Sequence, residues 1–136
     1  MDDLSKTLQI SSAGMRVQGT RLRITAENLA NAESTALSPD GEPYRRKTLT
    51  FKNTLDRTLG ADIVRVGRIG EDPSDFVRKY NPGHPAADAQ GYVLTSNVNP
   101  VIEMGDMREA QRSYEANLNV IKSSRAMIQG TLDVLR

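Results

Sequence analysis

Cysteine and tryptophan are absent from this sequence, and histidine occurs once. Without cysteine the chain forms no disulfide bond and offers no thiolate ligand to a metal ion. A single histidine, His84, supports neither a zinc site nor a histidine-based catalytic triad. We therefore predict no catalytic residue, no metal site and no cofactor, and we interpret His84, which lies between Gly83 and Pro85, as a loop residue.

Large apolar side chains are also scarce. The chain has two phenylalanines and four tyrosines, and its hydrophobic fraction is 38%. Each fully buried Leu, Ile, Met or Phe contributes about 1.5–3 kcal/mol to folding. A chain of 136 residues with this composition is expected to form one domain with a modest core. Such a chain should gain much of its stability from association.

Neither sign of charge is in excess, since 18 basic residues face 17 acidic ones. This balance gives no reason to expect nucleic acid as a partner, because binding to a phosphate backbone requires a basic patch. The one basic triplet is Arg45–Lys47, which we interpret as the solvated edge of a strand.

Long apolar runs are missing as well. No stretch approaches the roughly 18 apolar residues of a transmembrane helix, so direct membrane insertion is not expected. The sequence begins Met-Asp-Asp without an apolar run, and we therefore expect no cleaved signal peptide.

Two segments with helical periodicity, Asp3–Ala32 and Pro100–Leu135, lie on either side of a middle rich in Gly and Pro. In both, the apolar positions recur in alternating steps of three and four, which is the heptad pattern of packed helices. Asn99 can cap the second helix, and Pro100 suits its first position. The first predicted seam is Leu4, Leu8, Ser11, Met15, Gln18, Leu22, Thr25 and Leu29. The second is Met104, Met107, Gln111, Tyr114, Leu118, Ile121, Arg125, Ile128, Leu132 and Leu135.

The middle is predicted to contain turns and short strands. The predicted elements are a turn at Pro39–Gly41, strands at Thr48–Phe51 and Ile63–Ile69, a hairpin of the latter with Phe76–Tyr80, a turn-rich loop at Asn81–Pro85 and an extended piece at Gly91–Thr95. The predicted fold is mainly α with a small β and loop middle, and the two long helices form a coiled-coil-like domain. We expect residues 1–35 and 99–136 to supply these helices and residues 36–98 to form the middle.

The apolar face of the first helix is broad, because Val17 and Ile24 flank its seam. A hairpin of the two helices within one chain would bury only one stripe on each, so the broad face favours contacts with several neighbours. Gly14 and Gly19 each lower intrinsic helicity by about 1 kcal/mol. In packed helices such residues usually mark a close backbone approach, and in an isolated helix they favour disorder; both interpretations suit a segment that becomes ordered in an assembly.

The sequence of Ala26–Thr35 contains Asn-Leu-Ala-Asn at its centre, and it resembles the N-terminal signature of the bacterial flagellar rod and hook proteins. The segments Pro39–Lys47, Tyr80–Val93 and Ser96–Met104, followed by Met107–Asn117, are similar to the proximal-rod members of that family. The resemblance covers nearly the whole chain. It implies a structural subunit of the basal-body rod, the tubular shaft that transmits motor torque during swimming.

The resemblance also implies partners and a location. The expected partners are other rod subunits (FlgB, FlgF and FlgG-like proteins), the rod-base junction protein FliE, further copies of this chain and the flagellar type III export apparatus. The expected location is the periplasmic rod, reached without cleavage of a signal peptide. Two alternatives are a cytoplasmic coiled-coil adaptor and an export chaperone. A membrane-surface protein is disfavoured, because the polar helix faces carry both charge signs.

The candidate functional residues are those expected at an assembly interface between helices. In the first helical segment they are Leu4, Leu8, Met15, Leu22, Asn28, Leu29 and Asn31. In the second they are Met107, Tyr114, Asn117, Leu118, Ile121, Ile128 and Leu132. For Asn28 and Asn31 the simpler interpretation is a cap on the end of the first helix.

Overall fold

A computed structural model describes residues 2–135 of the chain and shows two long helices with four strands between them. The elements are α1 (Asp2–Ala30), β1 (Lys47–Asp56), β2 (Ala61–Glu71), β3 (Val77–Tyr80), β4 (Tyr92–Thr95) and α2 (Pro100–Val134). The predicted combination of two terminal helices with a small antiparallel middle is confirmed.

The chain divides into two compact units, and each helix contributes to both. The first unit comprises Met1–Leu22, Thr50–Arg68 and Arg108–Arg136. The second comprises Arg23–Leu49 and Ile69–Met107.

The ends of the helices follow the sequence signals. Asp2 and Asp3 occupy the first turn of α1, where carboxylates favour the positive end of the helix dipole. At the start of α2, the Asn99 side-chain oxygen accepts a hydrogen bond from the Val101 N–H at 3.1 Å, and Pro100 is the first helical residue. The predicted cap is therefore confirmed, and the 35 residues of α2 form a rod of about 52 Å.

β1 and β2 form a hairpin that is longer than the two predicted strands. The turn between them is closed by a 2.8 Å hydrogen bond from the Gly60 N–H to the Asp56 carbonyl. Gly60 has φ +63°, a conformation that favours glycine. The Asp56 carboxylate accepts a hydrogen bond from the Thr58 N–H at 3.0 Å, so the turn is held by side chain and backbone together.

The predicted hairpin between Ile63–Ile69 and Phe76–Tyr80 is wrong. β2 pairs with β1, and β3 pairs instead with β4, in an antiparallel register that places Val77 opposite Thr95. Between β2 and β3 the Ser74 N–H donates to the Asp72 carboxylate at 2.9 Å, a local turn in which Pro73 offers no N–H to a partner strand.

β4 lies between two neighbours in the second unit. On one edge it pairs with β3, and on the other Thr35 forms a bridge to Thr95. A small core of Ala36, Ala86 and Val93 packs beneath this sheet. The extended piece predicted at Gly91–Thr95 is thus a strand, whose partners the sequence did not indicate.

The predicted turns are present in the second unit. The Gly41 N–H donates to the Ser38 carbonyl at 3.0 Å, which closes the turn around Pro39. In the loop after β3, His84 Nδ1 accepts from the Ala86 N–H at 3.0 Å, so the neutral ring carries its proton on Nε2, which lies 3.2 Å from Thr35 Oγ1. Both ring nitrogens are engaged in holding the loop, which agrees with the interpretation of His84 as a loop residue.

Candidate assembly interface

Within the first unit, α1 and α2 pack side by side in opposite directions. A Cβ atom on Gly14 would lie 3.0 Å from both amide atoms of the Asn117 side chain. Farther along, Arg21 Nη2 lies 3.3 Å from Glu109 Oε2. Since residue numbers rise along α1 as they fall along α2, the helices are antiparallel. Ala110 is fully buried, so small residues allow the close contact.

The predicted seam of α2 is half right. Its larger members Met107, Tyr114, Ile121 and Ile128 are partly buried, whereas Met104, Gln111 and Arg125 are exposed. The buried positions lie one residue earlier, at Glu103, Ala110 and Ser124, with partly buried Asn117 between them. The predicted seam and the set one residue earlier have the same spacing, so periodicity alone cannot show which of them is buried. The side chains at these inward positions are small or polar.

On α1 the buried residues include two polar seam positions and the two residues that flank the seam. Ser11 and Thr25 are buried together with Val17 and Ile24. The large seam residues Leu4, Leu8, Met15, Leu22 and Leu29 are only partly buried. The packing of a single chain therefore buries these four residues more fully than the leucines and the methionine of the seam, which keep partial contact with solvent.

These larger residues form what we call the α1 stripe, in which an apolar residue recurs every seven positions and a small residue lies between. Its members are Leu8, Ser12, Met15, Gly19, Leu22, Ala26 and Leu29. The steps alternate between four and three, so all of them lie along one side of the helix. The alternation of large and small side chains suits a second helix packed against this side.

α2 carries a corresponding α2 stripe, and all of its members are exposed. It consists of Ala116, Val120, Ser123, Met127, Gly130 and Val134. Val120 is 41% exposed and Met127 is 55% exposed. Contiguous exposed apolar surface of this kind commonly marks a site of protein interaction.

Glycines in the two helices differ in what surrounds them: one contacts the other helix, and others lie on open surface. At Gly14 an added Cβ would crowd the Asn117 side chain. Around Gly19 and Gly130, by contrast, an added Cβ would meet no atom of the described residues within 4 Å, apart from the backbone of its own helix. Each of these glycines costs the helix about 1 kcal/mol relative to alanine. The packing of the single chain supplies no reason for that cost.

The second unit contains a buried polar junction centred on Asn28, which is 1% exposed. Its Oδ1 accepts from the Lys47 N–H at 2.9 Å, and its Nδ2 donates to the Lys47 carbonyl at 2.9 Å. The amide thus pairs with both backbone groups of the first β1 residue, as a neighbouring strand would. Nδ2 also lies 3.2 Å from Glu103 Oε2, and the Tyr44 hydroxyl donates to Oδ1 at 2.8 Å.

A buried carboxylate joins α2 to this junction. Glu103, also 1% exposed, accepts a hydrogen bond from Arg46 Nε. Asp72 and Asp106 lie 3.6 and 3.7 Å from the same guanidinium group. Burial acts to lower the pKa of Arg46, but Glu103, Asp72 and Asp106 raise it, so the guanidinium remains charged. The Arg46 N–H donates to Asn97 Oδ1 at 2.8 Å, which ties the segment before α2 to the entry of β1.

Tyr44 makes the junction sensitive to alkaline pH. Burial, with the nearby charge of Glu27 and Glu103, raises the pKa of its phenol from 10.0 to about 12. Because the folded-state pKa is raised, this contribution to stability is complete below pH 10 and is lost as the pH rises through about 12. We expect Tyr44→Phe to lose less stability than the unaltered chain over that interval, measured by urea denaturation at increasing pH. Equal losses in both chains would contradict this assignment.

Asn31 behaves differently from Asn28, although both belong to the same sequence signature. Its Nδ2 donates at 2.8 Å to the Glu27 carbonyl in the last turn of α1, which also accepts the Asn31 backbone N–H at 3.2 Å. The capping interpretation is therefore correct for Asn31 and wrong for Asn28, whose amide connects α1 to β1 and α2.

The remaining predicted interface residues lie at different depths. Tyr114, Leu118, Ile121 and Ile128 are partly buried, while Leu132 is 44% exposed. The Asn117 side chain donates to the Ser113 carbonyl of its own helix at 2.9 Å.

Sequence reasoning missed the partners of Asn28. The basic triplet was interpreted as a solvated edge, but Arg46 pairs with buried Glu103, and the Lys47 ammonium pairs with Glu27. Glu103 resembles an ordinary acidic residue in the first turn of a helix. The sequence offered one signal for this junction, which is the basic pair Arg46 and Lys47 together with Glu103 in the first turn of α2. Helical periodicity does not show that these distant residues meet.

Two further observations concern what residues 2–135 do not contain. No group of three or more histidine, cysteine, aspartate or glutamate side chains among them is arranged to hold a metal ion. Neither helix, over its described length, combines the span and apolarity that crossing a bilayer requires.

Comparison with known proteins gives consistent matches along the whole chain. Residues 89–134 match the family model "Flagellar basal body rod FlgEFG protein C-terminal". The chain is 52% identical to the flagellar basal-body rod protein FlgC of Agrobacterium fabrum, over 100% of this chain and 98% of that protein. It is 38% identical to FlgC of Borreliella burgdorferi, over 98% of each, and 37% identical to FlgC of Escherichia coli O157:H7, over 95% and 96%.

Proposed function

The chain belongs to the FlgC family of flagellar basal-body rod proteins, and on that premise we propose how its helices build the rod. It is a structural subunit of the basal body that serves motility, it assembles with other rod components, and it is not an enzyme. The comparisons support this function and not the alternatives of a cytoplasmic adaptor or an export chaperone.

We propose that the α1 stripe and the α2 stripe are the surfaces through which neighbouring subunits pack. The carrying observation is that Gly19 and Gly130 lie on these stripes, and within residues 2–135 no atom outside the local helix backbone is near enough to require a glycine. A helix from another subunit could approach the backbone closely at both positions. Large residues on either side, such as Met15 and Met127, would then insert between the side chains of that helix.

These surfaces suggest different roles for the helices and for the middle of the chain. Residues 1–35 and 99–136 form a coiled-coil-like axial domain, and the predicted interface residues Leu8, Met15, Leu22 and Leu29 contact neighbours from its α1 side. Residues 36–98 lie outside the axial helices and set the placement of adjacent subunits. Many parallel helix contacts resist shear together, which is how a tubular shaft transmits torque.

The finer partners and the route belong to the same proposal. The neighbours are further copies of this chain, FlgB, FlgF and FlgG-like rod subunits and the junction protein FliE. The chain travels unfolded through the type III export apparatus to the periplasm without cleavage of a signal peptide. The absence of cysteine supports this route, because no disulfide bond has to be broken or delayed.

Charges placed on the α2 stripe test the interface. Val120→Asp with Met127→Asp should abolish rod assembly and swimming, because burying two unpaired carboxylates between helices costs several kcal/mol. The purified variant should keep its helix content, since both residues are exposed in the single chain. Motility in soft agar and mass spectrometry of purified basal bodies provide the readout.

The matched control is Gln111→Asp with Ala126→Asp, which places the same charges on another exposed face of α2. This control should assemble. Normal swimming by the stripe variant, or equal loss in the control, would contradict the proposed interface.

A further inference from the structure

The first unit contains an open groove, which shares Leu8 and Ser12 with the α1 stripe and otherwise lies beside it. Its volume is about 690 Å³, and it is bordered by α1, the β1–β2 hairpin and α2. Its apolar lining includes Leu8, Val17, Leu59, Ile63 and Ile121. Along α1 the lining extends from Leu8 to Thr20, which is a length of about 18 Å.

The charged residues of this groove are mostly of one sign. Arg16 comes from α1, Arg65 from β2 and Arg125 from α2, and all three are exposed. The one carboxylate in the lining, Asp56, already accepts the Thr58 N–H of the hairpin turn. Three arginines and one aspartate give the lining a net charge of +2, whereas the whole chain of 136 residues carries only +1.

None of the three arginines forms an ion pair with another described residue of the chain. Elsewhere, arginines near the helices do find carboxylates, as Arg21 does with Glu109 and Arg46 with Glu103. An apolar groove with three arginines beside it is complementary to an apolar segment that carries carboxylates on its flank.

We propose that this groove is the docking site for an amphipathic helix of a neighbouring rod subunit, with leucine-like side chains on its buried face and Asp or Glu beside them. The inference rests on the proposed rod function. A length of about 18 Å corresponds to three turns of helix, and helix-in-groove recognition uses apolar anchors at this spacing. A guanidinium group can bind a carboxylate through two parallel hydrogen bonds. Arg16, Arg65 and Arg125, which we call the rim, would therefore select a helix with acidic residues on its flank and fix its position along the groove.

Charge reversal at the rim tests the electrostatic part. Arg16→Glu with Arg125→Glu should reduce the number of assembled rods per cell by at least about tenfold, because like charges facing each other across an interface cost more than 1.4 kcal/mol. Arg57→Glu with Arg68→Glu is the control, since it makes the same change in net charge on exposed hairpin residues outside the groove. Equal rod numbers in the two strains would overturn the proposal.

Cross-linking identifies the occupant. Because the chain has no cysteine, Gln9→Cys carries a unique thiol in the groove, and Asn53→Cys carries one on the exposed hairpin. Both are labelled with benzophenone maleimide in purified basal bodies, irradiated and digested for mass spectrometry. The groove thiol should cross-link to a helical peptide of a rod subunit that has at least two carboxylates beside apolar residues.

Three outcomes would overturn the assignment of the groove. These are no cross-link above the Asn53→Cys control, a cross-link to a basic or non-helical segment, and a cross-link to a polyanion instead of a protein. Rods that assemble normally without a cross-link at Gln9→Cys would refute the groove alone. Failure of the proposed function would appear separately, as normal assembly of the Val120→Asp and Met127→Asp chain.

Discussion

Replacing Arg46 with methionine is expected to lower the free energy of unfolding of the purified chain by about 3–5 kcal/mol. The change leaves Glu103, which is 1% exposed, without its cation inside the second unit. Asp72 and Asp106, at 3.6 and 3.7 Å from the same guanidinium group, lose their counter-charge as well. Since typical domains are stable by only about 5–15 kcal/mol, this loss should unfold much of the second unit and prevent motility.

The measurement is urea denaturation followed by circular dichroism, with Arg57→Met as a control on the exposed hairpin turn. A second variant, Arg46→Met with Glu103→Leu, removes both charges and should recover part of the lost stability, because no uncompensated buried charge remains. A loss below about 1 kcal/mol in Arg46→Met, which is the range of a surface ion pair, would show that Glu103 does not depend on Arg46.

The helices could be predicted from the sequence because their signals are local. Asn99 and Pro100 define the start of α2, and alternating steps of three and four define the length of both helices. The pairing of strands could not be predicted in the same way. β4 is only four residues long, and its partners β3 and Thr35 lie far from each other in the sequence. The wrong hairpin resulted from assuming that consecutive strands pair.

The candidate site was predictable to the extent that it depends on periodicity. The α1 seam located Leu8, Met15, Leu22 and Leu29, which the single chain leaves partly exposed. The register of α2 was not predictable, because a shift of one residue preserves the spacing, and only the size of Ala110 at the contact selects the correct face. The polar junction could not be predicted from the sequence either. Asn28 and Arg46 are 18 residues apart and Arg46 and Glu103 are 57 residues apart, so they meet only after folding.

Leucine in place of Gly130 on the α2 stripe, or of Gly19 on the α1 stripe, is expected to separate folding from assembly. At both positions, no atom of the described chain beyond the local helix backbone lies within 4 Å of an added Cβ, so the side chain meets open surface. The purified variants should be as stable as the unaltered chain or more stable by about 0.5–1 kcal/mol, because leucine is a better helix former than glycine. In the rod, the same side chain would hold the neighbouring helix away and abolish assembly.

Two controls distinguish this effect from general damage. Gln129→Leu adds the same side chain one residue earlier, about 100° around the helix from the α2 stripe, and should assemble. Gly14→Leu should instead destabilise the purified chain, because a Cβ there lies 3.0 Å from the Asn117 amide. The two stripe glycines, Gln129 and Gly14 thus predict three different combinations of stability and assembly.

The most direct test of the central claim is the yield of rods from cells that carry Gly130→Leu, counted in purified basal bodies and compared with cells that carry Gln129→Leu. If the α2 stripe packs against a neighbouring subunit, the purified Gly130→Leu chain is folded and stable, but cells that carry it contain no completed rods, while Gln129→Leu cells contain the normal number. Completed rods at normal number in Gly130→Leu cells would contradict the account, because no second helix could then lie close to the α2 backbone at that position.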